Sequence, residues 1–270
     1  MESSRAALVE SLVRRLLAEA PERRAWEASF PRGDAAARRR LLRALMNVRP
    51  TAPLDPGFLR DQDALLSAER DERGTVDAES LPPFAPAEPR IALWRGDITR
   101  LKADAIVNAA NDALLGCFAP LHGCIDNAIH SAAGLQLRNA CAEIAAARGK
   151  GWRAPTGVAF PTPGFNLPAA RVLHVVGPIV PDGRPTAAQR GQLADCYRSC
   201  LDEAAALGLR SVAFCCISTG VFGYPAEEAA RTAVAAVRRA LAAGSPVARV
   251  VFDVFTARDE ALYRAALATP

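Results

Sequence analysis

Apolar positions follow two different rhythms along this chain, and the change falls near Arg90. Before it the spacing is helical. Leu8, Leu12, Leu16 and Leu17 share one face, with Glu10, Arg14 and Arg15 largely turned away from it. Asp34 is placed to cap a second helix carrying Leu41, Leu42, Leu45 and Met46, which Pro50 ends. Prolines at 53, 56, 82, 83, 86 and 89 then punctuate a polar stretch. They predict an extended connection with one short helix near 62–69. Residues 1–89 therefore read as a helical extension that packs on another surface.

Beyond Arg90, short aliphatic runs alternate with helical patterns. Runs at 91–94, 105–107, 158–160, 172–176, 212–217 and 250–255 predict strands, several of them apolar throughout, as strands covered on both faces are. Helical spacing occupies 125–148, 186–207, 226–243 and 259–268. This alternation predicts a three-layer α/β sandwich over 90–270. Ligands of such sheets sit beyond the carboxyl ends of the strands.

Composition narrows the function classes. Half of the 270 residues are hydrophobic and 6% aromatic, which suits an aliphatic α/β core. A net charge of +4, with basic residues mostly Arg scattered among acids, disfavours nucleic acid as a partner. No apolar run reaches membrane-spanning length, and no signal-peptide pattern stands at Met1. Seven cysteines in a chain of this size argue for free thiols and metal ligation in a reducing, intracellular compartment rather than for a disulfide framework.

The strongest chemical signal is the segment 116–127, Gly-Cys-Phe-Ala-Pro-Leu-His-Gly-Cys-Ile-Asp-Asn. Cys117, His122 and Cys124 offer two thiols and an imidazole in a loop that opens a helix, the donor types zinc prefers. Three local donors leave a fourth position open, as in catalytic sites. The alternative is two small buried hydrophobes and a satisfied core histidine. Asp126 either caps the following helix or faces the metal and a sugar hydroxyl. Asn108 and Asn111 leave a strand as Asn-Ala-Ala-Asn, suited equally to sugar hydroxyls and to a turn. Asp97, with the Ile98 N–H, can read an amino-substituted base, or simply form an Asx turn. Ser218, Thr219, Gly220, Val221 and Phe222 outline a diphosphate cradle at a helix N-terminus, and equally an ordinary strand-to-helix turn. His130, His174 and the cysteines at 141, 196, 200, 215 and 216 read as core residues, the last two within a strand.

Taken in order, these segments resemble the macrodomains. The resemblance rests on Gly-Asp-Ile-Thr at 96–99, Asp-Ala-Ile-Val-Asn-Ala-Ala-Asn at 104–111, Ile-His-Ser-Ala-Ala-Gly at 129–134, His-Val-Val-Gly-Pro at 174–178 and Ile-Ser-Thr-Gly-Val-Phe-Gly-Tyr-Pro at 217–225. More narrowly, the segment 116–127 and the stretches 40–50 and 62–63 resemble the zinc-containing microbial macrodomains. The resemblance implies an α/β/α sandwich with a mixed sheet behind a helical N-terminal extension, with domains at 1–89 and 90–270. It implies a pocket for ADP-ribose and hydrolysis of its bond to a modified protein side chain, with mono-ADP-ribosylated protein as partner and Zn2+ as cofactor. Asp97 and Ile98 would hold adenine, the amides of 218–222 the diphosphate, with Tyr224 at that loop's edge. Asn108, Asn111 and Asp126 would surround the distal ribose, Asn111 and Asp126 completing the catalytic geometry. Cys117, His122 and Cys124 would hold zinc beside the anomeric carbon. A non-catalytic ADP-ribose reader with structural zinc, or an O-acetyl-ADP-ribose deacetylase, would use the same pocket. The acceptor side chain stays open.

Overall fold

The computed structural model describes residues 2–269. Three helices come first: α1 (Glu2–Glu19), α2 (Ala35–Val48) and α3 (Pro56–Arg73). Asp34 caps α2 by accepting from the Ala37 N–H, and Asp55 caps α3 in the same way from Phe58. The helices share their own core, built from Leu12, Leu41, Leu42, Leu45, Phe58 and Leu65, with Leu135 from the following region inserted into it. The expected extended connection at 51–89 thus contains a full 18-residue helix. Its polar sequence conceals a narrow apolar stripe, Phe58, Leu65 and Leu66, which only packing on α1 turns into a stable element.

Besides two 3-10 helices, Pro21–Ser29 and Ile98–Arg100, the remaining elements are β1 (Val76–Asp77), β2 (Ile91–Arg95), β3 (Leu101–Lys102), β4 (Ala105–Ala109), α4 (Ile125–Ala133), α5 (Leu135–Ala146), β5 (Ala159–Pro163), β6 (Arg171–Val175), α6 (Ala187–Ala206), β7 (Ser211–Phe214), α7 (Ala226–Ala242), β8 (Arg249–Val254) and α8 (Ala257–Ala268). Six strands form one mixed sheet in the order β2-β8-β7-β4-β6-β5, every pair parallel except β5 with β6. Pro161 and Pro163, which cannot donate to a ladder, are tolerated because β5 is the edge strand.

Register assigns the two faces. Phe214 of β7 pairs with Phe252 of β8, and both rings meet Tyr197 of α6 or Tyr263 of α8. Asn108 of β4 pairs with His174 of β6, one residue further along the pleat and therefore on the opposite face. That face carries α4 and α5. The expected single helix at 125–148 is two helices, broken at Gly134 with φ of +99°. Gly134 takes the left-handed turn and its N–H closes α4 on the His130 carbonyl, while Gln62 of α3 enters the break and its Oε1 accepts from the Leu135 N–H at 3.0 Å. Likewise β7 stops at Phe214, so Cys215 and Cys216 lie just past the strand rather than within it. Among the described residues, no helix is long and apolar enough to cross a membrane.

Candidate active site

The site starts where β4 ends. Asn108 is wholly buried, and its Nδ2 donates both to Asp126 Oδ1 at 2.8 Å and to His174 Nδ1 at 3.1 Å. Two hydrogens on one amide nitrogen satisfy both bonds, so His174 Nδ1 is an acceptor and its proton sits on Nε2, facing Thr162 Oγ1 at 2.9 Å. Asn108 therefore stands behind Asp126 rather than at an open surface. Asn111, half-buried, donates to Asp126 Oδ2 at 3.4 Å and to the Gly116 carbonyl at 3.1 Å. Asp126 is thus held from two sides at the first turn of α4. It does not cap that helix: the cap is Cys124, whose Sγ accepts from the Asn127 N–H at 3.4 Å.

Burial raises the Asp126 carboxyl to a pKa of about 6, while the Asn108 hydrogen bond and the charge of Arg138 pull the other way. His130 Nε2 lies 3.4 Å from Asp126 Oδ1, yet this is no ion pair. Burial holds the imidazole well below its ordinary pKa, and neither ring nitrogen makes a hydrogen bond among the described residues. His174 is pushed down to about 3 by the same desolvation. Its folded pKa lies below the ordinary 6.5, so its contribution to stability is present above about pH 6.5 and is lost as pH falls toward 3. In metal-free protein, denaturant unfolding should show the wild type losing roughly 1 kcal/mol more than His174→Gln between about pH 6.5 and 5.5. Parallel curves would show that His174 is not the neutral buried group described.

The three predicted metal donors come together in the loop before α4. Their donor atoms lie within 4.8 Å of one another, and Cys117 Sγ is 3.6 Å from His122 Nδ1. With Zn–S near 2.3 Å and Zn–N near 2.0 Å, a tetrahedral edge between sulfur and nitrogen is about 3.5 Å. Donor type and spacing therefore fit zinc. Burial raises the Cys124 thiol to a pKa of about 11, partly offset by the Asn127 N–H, so uptake of an ion must displace a proton.

The cradle follows β7. Ser218 has φ of +66°, a left-handed turn that costs a non-glycine residue about 1 kcal/mol. The loop is closed by Val180 N–H to the Phe222 carbonyl at 2.7 Å and Tyr224 N–H to the Ser218 carbonyl at 3.0 Å. Among the described hydrogen bonds, none is donated by the amides of Thr219, Gly220, Val221 or Phe222. Consecutive amides free of described acceptors ahead of α7 are the kind of donors that an anion takes. At the other side of the sheet, Asp97 caps the short 3-10 helix Ile98–Arg100 through Thr99, as the Asx reading expected. Its second oxygen lies 3.5 Å from Arg73 Nη1 of α3, and the side chain is 39% exposed. The Ile98 side chain is core, and its N–H donates to no described group.

Three further residues border these positions. Phe255, 76% exposed at the end of β8, stands beside Gly96, whose N–H bonds the Val254 carbonyl. An exposed aromatic following an otherwise buried strand was its signal. Arg73 carries no such signal, because the polar sequence around it predicts a connection. Arg138, 3% exposed, donates to the Leu115, Met46 and Asn47 carbonyls and stacks 4.3 Å over the Phe118 ring. One arginine among the many in this chain carries no such signal.

Residues 107–233 match the Macro domain family. The chain is 49% identical over 224 residues to a protein-ADP-ribose hydrolase of Treponema medium, covering 83% of this chain and 85% of that protein. The chain belongs to the macrodomain family. A protein-ADP-ribose hydrolase of Staphylococcus aureus (strain Mu50 / ATCC 700699) is 46% identical over 227 residues, 84% of each chain. Among solved structures, the Trypanosoma brucei macrodomain in complex with ADP-ribose superposes with a TM-score of 0.64 at 35% identity, covering 80% of this chain and 92% of that chain. An Oceanobacillus iheyensis macrodomain variant with ADPR gives 0.61 at 38%, covering 66% and 91%. The match to the Treponema protein is longer than the segment 90–270, so it takes in part of the N-terminal helical region.

Proposed function

We propose that this macrodomain is a zinc-dependent hydrolase that releases ADP-ribose from mono-ADP-ribosylated protein side chains. The observation that carries the reading is the convergence beyond the sheet's carboxyl edge: a buried carboxylate, Asp126, follows a three-donor metal loop directly, and an anion nest leaves the neighbouring strand. The hydrolase names of relatives sharing nearly half their residues with it support the activity over mere binding.

Asp97 and the Ile98 N–H would read the adenine, with the exposed Phe255 ring as a stacking face. The amides of 218–222 would hold the diphosphate and so fix the distal ribose against Asn111 and Asp126. Asn108, one bond behind, keeps the Asp126 carboxylate aimed by spending its amide hydrogens on that group and on His174. Asn111 donates to the other carboxylate oxygen and joins it to the loop carbonyl of Gly116. Cys117, His122 and Cys124 would hold the zinc, whose chemistry when bound is to lower the pKa of a water or to fix a ribose hydroxyl. The chain's own residues supply the orientation that makes attack at the anomeric carbon effectively intramolecular.

The test is release of ADP-ribose from mono-ADP-ribosylated protein, measured on the purified chain before and after chelation. Release that disappears with the metal and returns on adding zinc is the expected result. Firm ADP-ribose binding without release in either sample would leave a reader module. Turnover confined to O-acetyl-ADP-ribose would assign the deacetylase instead.

A further inference from the structure

The N-terminal helices do more than pack. Asn47, buried near the end of α2, receives the Leu121 N–H on its Oδ1 at 3.0 Å and donates from Nδ2 to Ser131 of α4 at 3.0 Å. One turn earlier, Arg43 donates to the Asn127 Oδ1 at 2.8 Å and to the His122 carbonyl at 3.4 Å. Asn127 passes the restraint on, its Nδ2 donating to the Ala119 carbonyl at 3.1 Å. Within the metal loop, Ala119, Leu121 and His122 are thereby tied, directly or through Asn127, to one face of α2. Leu121 needs this, since its φ of +57° is a left-handed conformation that a leucine holds only when its surroundings impose it. Arg138 locks the same helix end, bonding the Met46 and Asn47 carbonyls while its guanidinium covers Phe118.

We infer that α2 is the template of the metal loop, and that Arg43 and Asn47 are positioning residues for zinc although neither is a ligand. The inference rests on Cys117, His122 and Cys124 being the zinc donors. A loop without regular structure would otherwise have to order its three donors on binding, and that entropy would be subtracted from affinity. Outer partners that orient metal ligands are typically worth about 10–100-fold in affinity.

The experiment is zinc affinity by competition with a chromogenic chelator, on full-length wild type, Arg43→Gln, Asn47→Ala and Arg39→Gln, with the cobalt(II) absorption spectrum as a second readout of donor geometry. Arg39 also lies on α2 but pairs with Glu69 of α3, so it controls for the helix bundle itself. Arg43→Gln and Asn47→Ala should each weaken zinc about 10–100-fold and alter the cobalt spectrum, while Arg39→Gln leaves both unchanged. Should Asn47→Ala fail to fold, the partly exposed Arg43→Gln decides the matter. Zinc affinity within twofold of wild type in both loop variants overturns the inference. A wild-type chain that takes up no zinc overturns the metal reading itself, which is a separate failure.

Discussion

His122→Ala is expected to lose bound zinc and to lower ADP-ribose release by on the order of a thousandfold or more, with ADP-ribose binding weakened by no more than about tenfold. The asymmetry follows from geometry. Cys117 and His122 belong to the loop 116–124, whereas the proposed adenine and diphosphate contacts are made by Asp97, Ile98 and residues 218–222, so removing either donor leaves those contacts in place. Two donors cannot replace a three-donor site. Cys117→Ala should behave alike, with metal-free thermal stability close to wild type. Cys124 is the wrong residue for this test, because its Sγ also caps α4 and its loss adds a stability cost of up to about 1 kcal/mol. Zinc content, binding by calorimetry and release are read on the same samples. Full turnover in either variant, with metal shown to be absent, would sink the zinc role.

The second large effect lies at Gly177, in the turn after β6. A Cβ there would stand 2.0 Å from Ser218 Oγ, 2.8 Å from Ile217 Cγ2 and 3.3 Å from Ser218 Cβ. Rotating the serine hydroxyl relieves the first clash and leaves the others, so the backbone of the cradle has to move. Gly177→Ala should cost about 1–3 kcal/mol of stability as an overpacked site. It should also lower ADP-ribose affinity by roughly a hundredfold, since one displaced anion nest loses several charge-assisted bonds together. Adenosine, which has no diphosphate, should bind as in wild type. Adding Ser218→Gly removes the hydroxyl and relaxes the left-handed φ, and should recover part of the loss. Unchanged ADP-ribose affinity in the single variant would remove the diphosphate from this loop.

Much of the fold could be read locally because local physics decides it. The Asp34 cap, the capping box of Thr186 and Gln189 at the start of α6, and the apolar strand runs each express their structure within a few residues. So do Cys117, His122 and Cys124, which eight residues of one loop bring close together. What stayed hidden depends on partners remote in sequence. Gln62, more than seventy residues upstream, takes the Leu135 N–H at the break after Gly134, and α3 packs its apolar stripe against α1. Asn108 carries the polar signature of a ligand contact, yet register with His174 places it behind Asp126.

The sequence by itself determined the layer order of strands and helices, the donor set and the ordered motifs of a macrodomain, because periodicity, caps and ligand chemistry act over one or two turns of chain. Only the tertiary structure decided which carboxylate is buried, which amide supports it, and that α2 braces the loop 116–124. Those facts depend on desolvation and on hydrogen bonds between segments about eighty residues apart, and neither is written in the spacing of neighbours.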